Sequence, residues 1–205
     1  MLELVRANPR RVIALLSAVF TFGIAGSTAA FFAPKYLQDV HAWSPGNIAL
    51  LMVCGGGFAV IGSPLAGWLS DRLGRRPVTV VFSIAYAIVC VAFYTVGGFF
   101  VPFLWIGLIF FFMGTDVTLT SFGAELFPTS QRSTASGIKG LVGTLAAILG
   151  LSAVSGLYLI VHSNWTAIAI LCAAALVVPF VVWFFIPETA GRTLEEINGE
   201  QKIGM

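Results

Sequence analysis

The sequence predicts an all-α integral membrane protein built as a bundle of six transmembrane helices. Of its 205 residues, 58% are hydrophobic and only 10% are charged, whereas a soluble domain carries about 25% charged residues. Six stretches also supply the ~20 largely apolar residues that a helix needs to cross a bilayer. These runs do not alternate apolar and polar residues as barrel strands do, and only helices and closed barrels span lipid.

The six helices follow one another with short breaks that contain charged residues, proline or paired glycine. The first follows Arg10 and Arg11, as the core of a signal peptide would, but it is longer than such a core of about 7–15 residues. Small residues at the ends of Ser136–Gly140 and Gly143–Ala147 predict close helix packing. The predicted helices are residues 12–37, 47–70, 78–96, 99–124, 134–161 and 165–186, and a tail follows at 187–205.

Lysine and arginine lie almost entirely on one side of the predicted bundle. If successive helices alternate in direction, the loops on the opposite side hold only Lys35. The positive-inside rule makes the basic side cytoplasmic, so we expect both termini in the cytoplasm and the helices in the plasma (inner) membrane. The basic side carries Arg6, Arg10, Arg11, Arg72, Arg75, Arg76, Arg132, Arg192 and Lys202.

A glycine- and arginine-rich turn, Gly67–Arg76, follows the second helix. Gly67 allows a neighbouring helix to approach, the Asp71 carboxylate is placed to pair with the amino end of a helix, and Gly74 permits a tight reversal. The arginines offer planar donors for carboxylates. With the sequence Gly-Trp-Leu-Ser-Asp-Arg-Leu-Gly-Arg-Arg, the turn resembles the G-x-L-x-D-R-x-G-R-R signature of the major facilitator superfamily of transporters.

Two further segments resemble motifs of the same family. Glu125–Gly137 is similar to its E-x-x-P-x-x-x-R-x-x-x-x-G segment, and Pro187–Ile197 is similar to the P-E-T-x-G-R-T-L-E-E tail of sugar-porter-like proteins and metabolite–proton symporters. The resemblance implies a single membrane domain equal to helices seven to twelve, the carboxy-terminal half of a transporter. It also implies a cytoplasmic ion-pair network that gates the inner side and switches conformation. The expected gating residues are Gly67, Asp71, Arg72, Gly74, Arg75, Arg76, Glu125, Arg132, Glu188 and Arg192.

In this family the substrate site lies between two six-helix halves near the midplane of the membrane, so one half cannot form it alone. We therefore expect the chain to be a fragment without the first six helices, or to require the missing amino-terminal half or a second copy. The resemblance also implies that Asp71 meets a helix of the absent half. Membrane lipid, a small-molecule substrate and protons are the other expected partners.

Two ionisable residues, Asp116 and Lys139, lie inside predicted helices. A charge at the centre of a membrane helix costs ~2.5–3.5 kcal/mol on insertion scales, so pairing or a wet cavity must offset it. Both lie ~9–12 Å from the cytoplasmic ends of consecutive antiparallel helices, so they can face each other. Thr115 and Thr120 add hydroxyls to this substrate and proton pathway. Asp116 could carry a proton and Lys139 could bind an anionic substrate; a structural ion pair is the alternative.

The expected function is transmembrane transport by alternating access, as proton-coupled symport of a small organic anion such as a carboxylate or an aromatic acid. Phe32–Gln38 resembles the metabolite–proton symporters, and the runs typical of sugar porters are missing at 21–27 and 114–118. A sugar or polyol porter and a non-transporting membrane protein that binds a partner are the alternatives. The sequence contains no catalytic cluster, metal-ligand spacing or cofactor motif, so neither an enzyme nor a nucleic-acid-binding protein is predicted.

Overall fold

A computed structural model describes residues 9–127 and 131–191, and every regular element in these ranges is helical. A 3-10 turn at Gly98–Phe100 leads into α4, and a second at Ala174–Leu176 joins α6 to α7. The described residues contain six spans that are long and apolar enough to cross a membrane, which confirms the predicted fold class. The helices are α1 (Pro9–His41), α2 (Pro45–Leu73), α3 (Arg75–Thr95), α4 (Val101–Glu125), α5 (Arg132–Val161), α6 (Asn164–Ala173) and α7 (Val177–Phe185).

The α-helical geometry of the last span, Asn164–Phe185, is interrupted one turn before Pro179. Pro179 has no backbone N–H and cannot donate to the carbonyl of Ala175, one turn earlier. The chain adopts 3-10 geometry at Ala174–Leu176 and returns to a regular α-helix at Val177. The interruption is local, because α6 and α7 both pack against α1 and α3.

α1 and α3 form the centre of the bundle, with α6 and α7 packed against both of them. The Tyr36 ring of α1 contacts the rings of Phe93 and Tyr94 of α3. Tyr94 also donates a 2.6 Å hydrogen bond to the backbone carbonyl of Ala29. A buried tyrosine hydroxyl needs such a partner, and this bond fixes the register of α3 against α1.

α4 and α5 diverge from each other although they are consecutive. α4 packs mainly on α2 and α3, whereas α5 packs mainly on α1, so contact between α4 and α5 is slight. α5 approaches α1 closely at Gly150, where an added Cβ would lie 3.0 Å from the carbonyl oxygen of Ile24. The divergence leaves a gap beside α1, and the candidate site lies in this gap.

α2 and α5 present the least buried faces of the bundle. Only 17% of the apolar window of each is buried, compared with 56% for α1. An added Cβ at Gly56 or Gly57 of α2, or at Gly137 or Gly140 of α5, would have no neighbour within 4 Å among the atoms described. Faces rich in small residues let further helices pack closely.

Candidate functional site

A cavity of about 600 Å³ lies between α1, α4 and α5. This volume falls within the range of about 300–1,000 Å³ that is usual for small-molecule sites. Most of the wall is made of apolar and small side chains, so its few polar groups determine what it can bind. The polar residues that line it are Ser27, Asp116, Thr120, Ser136 and Lys139.

The two intramembrane charges meet at the wall of this cavity. The Lys139 ammonium lies 3.2 Å from Oδ1 of Asp116 and donates a second, short hydrogen bond to the hydroxyl of Thr120. That hydroxyl donates in turn to the backbone carbonyl of Asp116 at 2.7 Å. Asp116 and Thr120 lie one turn apart on α4, and Lys139 reaches them from α5. The structure therefore brings these three predicted residues into one polar cluster.

The lysine of this cluster is more enclosed than the aspartate. The Lys139 side chain is 19% exposed and the Asp116 side chain is 47% exposed, so a solute in the cavity can reach the carboxylate. An ammonium has three N–H donors, and Asp116 and Thr120 accept two of them. Within the described residues, one donor of Lys139 thus remains for a further acceptor. The cluster therefore places an ammonium with one remaining donor beside a partly exposed carboxylate at the wall of the cavity.

Thr115, the fourth residue predicted for the pathway, does not line the cavity. Its side chain is fully buried, and its hydroxyl donates to the carbonyl of Phe111 on its own helix at 2.8 Å. Successive residues of an α-helix point about 100° apart, so Thr115 faces the core when Asp116 faces the cavity. The expectation for Thr115 is corrected on this ground.

The apolar side of the cavity was not predicted. Phe22 of α1 and Phe112 of α4 line it, with their rings stacked 4.9 Å apart at 14°. Gly26 makes room for this stack, because an added Cβ would lie 2.5 Å from the Phe112 ring. The small residues that bound Ser136–Gly140 and Gly143–Ala147 also line the cavity. The close packing predicted there occurs at Gly143, because an added Cβ at Gly23 of α1 would lie 3.4 Å from its carbonyl oxygen. Small residues at helical spacing on both α1 and α5 are the signal that could have revealed this wall.

A second group of predicted residues meets at the arginine-rich end of the bundle, formed by the start of α1, the α2–α3 turn, the end of α4 and the residues after α7. Glu188 places its carboxylate there on the amino end of α3. Oε1 accepts the N–H of Arg75 at 2.8 Å, and Oε2 accepts the N–H of Arg76 at 3.0 Å. The N–H groups of Thr189 and Ala190 donate to Oε1 at 2.9 Å each. The first N–H groups of a helix have no partner inside it, so one side chain joins the segment after α7 to α3.

The surroundings of Glu188 favour its charged form. Burial alone would raise the pKa of this carboxyl, but the backbone N–H donors outweigh burial, so the pKa lies below its ordinary value. Gly74 makes the approach possible, because its φ is +103° and an added Cβ would lie 2.8 Å from Oε2. The reversal predicted at Gly74 therefore also leaves space for the carboxylate.

The Glu188 carboxylate therefore caps the amino end of α3, and a chain of ion pairs continues from Arg75. Nη2 of Arg75 lies 3.0 Å from Oδ1 of Asp71 and 2.5 Å from Oε1 of Glu125. The other carboxylate oxygen of Glu125 accepts the hydroxyl of Thr189 at 2.6 Å. The Arg75 side chain is only 16% exposed, so these interactions are partly shielded from solvent. They tie α2, α3, α4 and the segment after α7 together.

The other predicted arginines of this network have different partners. Arg72 stacks over the Trp68 ring at 4.3 Å. Arg76 lies over the ring of Trp183 and donates to its backbone carbonyl. Arg132 donates to a backbone carbonyl just after α4 at 3.5 Å. Among residues 9–127 and 131–191, these three guanidiniums thus contact aromatic rings and carbonyls rather than the carboxylates expected as their partners.

Within the described residues Asp71 caps no helix, and its expected contact with a helix of the other half stays a prediction. Asp71 lies inside α2, and its carboxylate reaches Arg75 one turn later, so the cap of α3 comes from Glu188. Gly67 makes no close helix contact within the described ranges, where an added Cβ would have no neighbour within 4 Å. Arg192 lies outside the described residues.

Residues 14–202 match the protein family described as the Major Facilitator Superfamily. An inorganic phosphate transporter of Saccharomyces cerevisiae is 31% identical over 203 residues, covering 91% of this chain and 32% of that protein. A low affinity inorganic phosphate transporter of Medicago truncatula is 41% identical over 101 residues, covering 47% of this chain and 18% of that protein. A solved structure of a proton:xylose symporter has the same fold, with a TM-score of 0.70 and 22% identity over 92% of this chain and 42% of that chain. The chain thus spans less than half the length of each of these proteins.

Proposed function

The chain belongs to the Major Facilitator Superfamily, and from this premise we propose that it forms the carboxy-terminal half of an alternating-access transporter that moves a small organic anion together with protons. The observation that carries the proposal is the Lys139–Asp116 pair at the wall of a cavity of about 600 Å³. A carboxylate or an aromatic acid is the substrate class that this cavity favours.

The ion pair supports coupling because an anion and a proton act on its two ends. While Asp116 is charged, it neutralises Lys139 at 3.2 Å. When Asp116 takes up a proton, it loses its charge and the ammonium becomes available to a substrate carboxylate. Binding of the anion therefore favours protonation of Asp116, and by linkage protonation favours anion binding. Loss of the proton restores the pair and promotes release of the anion.

The rest of the cavity suits the organic part of such a substrate. Phe22 and Phe112 offer aromatic surface, against which a planar ring can stack or pack edge to face. Ser136 lies one turn before Lys139 on α5 and also lines the cavity, so a hydroxyl is available beside the ammonium. A substrate with one charged end and one apolar end would match both sides of the cavity.

An inorganic oxyanion is the second candidate substrate. The two curated relatives are named as inorganic phosphate transporters, and the free donor of Lys139 can bind a phosphate oxygen as well as a carboxylate oxygen. Such a substrate would leave Phe22 and Phe112 without a part in recognition. A sugar or polyol has less support, because a neutral solute gives Lys139 no counter-charge once Asp116 is protonated. Partner binding without transport would leave the whole cavity unused.

The network at the arginine-rich end is proposed to be the part of the inner gate that this half supplies. Arg75, Glu125 and Glu188 connect four segments, so a relative movement of those segments requires their contacts to break. Arg10 and Arg11 lie at the same end. The positive-inside rule then favours a cytoplasmic position for this end and for both termini, in a plasma (inner) membrane.

The faces of α2 and α5 are proposed to receive the other half of the transporter. Their exposed glycines, Gly56, Gly57, Gly137 and Gly140, leave room for close helix packing. Either a missing amino-terminal half or a second copy of the chain could occupy these faces, and the substrate cavity between α1, α4 and α5 would then be closed on its remaining side.

Equilibrium binding to the cavity walls that this half supplies compares the candidate substrate classes. The purified chain in detergent is heated with benzoate, a short aliphatic carboxylate, inorganic phosphate or xylose, and its Tm is followed by tryptophan fluorescence. A ligand at 100 times its Kd stabilises a protein by about 2.7 kcal/mol. We expect the organic anions to raise Tm, xylose to leave it unchanged, and Lys139→Gln to abolish the rise.

The matched control is Lys35→Gln, which removes a lysine from an exposed pair with Asp39 and should keep the full response. A Tm rise with phosphate alone would replace the organic anion by an inorganic oxyanion. The proposal is contradicted if xylose stabilises the chain and the anions do not, or if the anions stabilise Lys139→Gln as much as the unmodified chain. Uptake into proteoliposomes under a pH gradient then shows whether a second copy suffices for transport.

A further inference from the structure

A second groove, separate from the substrate cavity, lies between α1 and α7 at the arginine-rich end. Its volume is about 300 Å³. It shares no lining residue with the cavity that contains Lys139 and Asp116. Its lining residues are Arg10, Ile13, Ala14, Ser17, Val181 and Phe185.

The lining of this groove is apolar apart from one charge at its end. Ser17 is the only hydroxyl in it, and that hydroxyl donates to the carbonyl of Ala14 at 2.8 Å. Ile13 is 63% exposed and Phe185 is 55% exposed, so apolar surface faces outwards from the bundle. Nothing but the Arg10 guanidinium offers a free polar group to an occupant, and the body of the occupant must therefore be hydrocarbon.

Arg10 has no carboxylate partner within residues 9–127 and 131–191, although four other basic–acidic contacts form there. A guanidinium is a planar donor that matches phosphate geometry. We propose that the groove binds one anionic membrane phospholipid, with its phosphate on Arg10 and one acyl chain between α1 and α7.

The dimensions of the groove fit this occupant. Arg10 and Ser17 lie seven residues apart on α1, which is about 10 Å at 1.5 Å per residue. The hydrocarbon of one leaflet is about 15 Å deep, half of the bilayer core. The groove therefore follows an acyl chain from its head group through most of the leaflet. Basic pockets between transmembrane helices are known sites for anionic lipid head groups.

A protein helix fits this groove less well. With its side chains a helix is about 10–12 Å wide, which exceeds what a groove of about 300 Å³ over this length can admit. Small residues that would allow close helix approach lie on α2 and α5 instead, at Gly56, Gly57, Gly137 and Gly140. The α1–α7 face is thus left to lipid when other helices pack on the bundle.

Photocrosslinking in nanodiscs tests the site. The chain is placed in phosphatidylcholine nanodiscs that contain a small fraction of phosphatidylglycerol carrying a diazirine in its acyl chain, and the labelled peptides are mapped by mass spectrometry. A phosphatidylcholine with the same diazirine is the matched probe. We expect phosphatidylglycerol to label residues 13–17 and 181–185 in preference to phosphatidylcholine. Since one basic residue contributes ~1 kcal/mol near an anionic surface, Arg10→Gln should reduce this preference about fivefold.

Three variants separate the head-group and acyl-chain contacts. Arg10→Lys should keep most of the preference, and Ser17→Leu should lower labelling by filling the inner end of the groove. Arg72→Gln removes a charge at the same end of the bundle away from the groove and should change neither. Equal labelling by both lipids, or equal effects of Arg10→Gln and Arg72→Gln, would overturn the proposal. Crosslinks between two chains at 13–17 would also overturn it and assign the groove to a second copy.

Discussion

The charged cluster of the cavity and the charged network of the arginine-rich end use the same chemical groups but are held differently. Lys139 and Asp116 contact each other at 3.2 Å, and a single hydroxyl supports them. Glu188 instead accepts four backbone N–H groups, and Arg75 contacts two carboxylates on different helices. The first cluster joins two helices that barely touch, whereas the second joins four segments.

This difference indicates which charges can respond to a solute and which respond to a change of shape. A pair with one donor left and access to a cavity can exchange its partner for an anion or a proton. A carboxylate fixed by backbone N–H groups has no such freedom, because leaving them unpaired costs about 1–3 kcal/mol per buried group. Its contacts break only when the segments themselves move. Four substitutions or changes of condition sharpen this contrast.

The largest effect is expected in the cavity. Lys139→Gln removes the cation that would hold the anion, and truncating one partner of a partly buried charge pair costs about 2–5 kcal/mol. We expect the affinity for an organic anion to fall about 100-fold, which corresponds to about 2.7 kcal/mol. Titration calorimetry on the purified chain measures this, and an affinity within threefold of the unmodified chain would exclude Lys139 from the site.

The next effect is expected at the cap of α3. Glu188→Ala removes the acceptor for the N–H groups of Arg75 and Arg76, and we expect the free energy of unfolding to fall by ~1–2 kcal/mol, the usual cost of losing a helix cap. Asp71→Asn is the matched control, because an exposed i,i+4 pair contributes only ~0.3–0.5 kcal/mol. Denaturant titration compares the two variants. Equal losses would show that the cap adds nothing beyond an ordinary surface charge.

A smaller effect should appear as pH is lowered. The pKa of Glu188 is lower in the folded protein than its ordinary value of 4.5. Its contribution to stability is therefore complete above pH 4.5 and is lost as pH falls through the folded-state pKa. The Tm difference between the unmodified chain and Glu188→Gln should stay constant between pH 7 and about 5 and shrink below about pH 4.5. A Tm difference that grows on acidification would contradict a lowered pKa of Glu188 in the folded protein.

The smallest effect is expected where an arginine meets a ring. Arg72 stacks on Trp68 at the surface, and an exposed cation–π contact contributes about 0.5–1 kcal/mol. Arg72→Gln should therefore lower stability by no more than this, and less than Arg75→Gln, which leaves Glu125 without its cation. If both variants lose the same stability in denaturant titration, the ion-pair chain around Arg75 is no stronger than a surface contact.

The fold was predictable because a membrane span depends on length and apolarity, which are local properties of the sequence. The Lys139–Asp116 contact was also predictable, since two charges in consecutive membrane helices have few alternatives to each other. Thr115 was assigned wrongly because its hydroxyl was counted without considering where its side chain lies around the helix. On an α-helix that side chain points about 100° away from the side chain of Asp116. Thr120 follows Asp116 by four residues, and this separation places both side chains on the same face of α4.

The remaining features depend on approaches between distant segments. The cap of α3 by Glu188 joins positions more than a hundred residues apart, and the motif that contains Glu188 indicates an acidic residue without indicating its partner. The stack of Phe22 on Phe112 requires the missing side chain of Gly26. An isolated glycine in an apolar run gives no sign of which ring will occupy its space.

Proton uptake on anion binding is the most direct test of the coupling proposed for Asp116. Calorimetric titration of the purified chain with an organic anion, in two buffers of different ionisation enthalpy, gives the number of protons bound with each anion. We predict about one proton per anion at a pH where Asp116 is charged in the free chain, and none for Asp116→Asn, which should still bind the anion. Binding of the anion to the unmodified chain without any proton uptake would contradict the account.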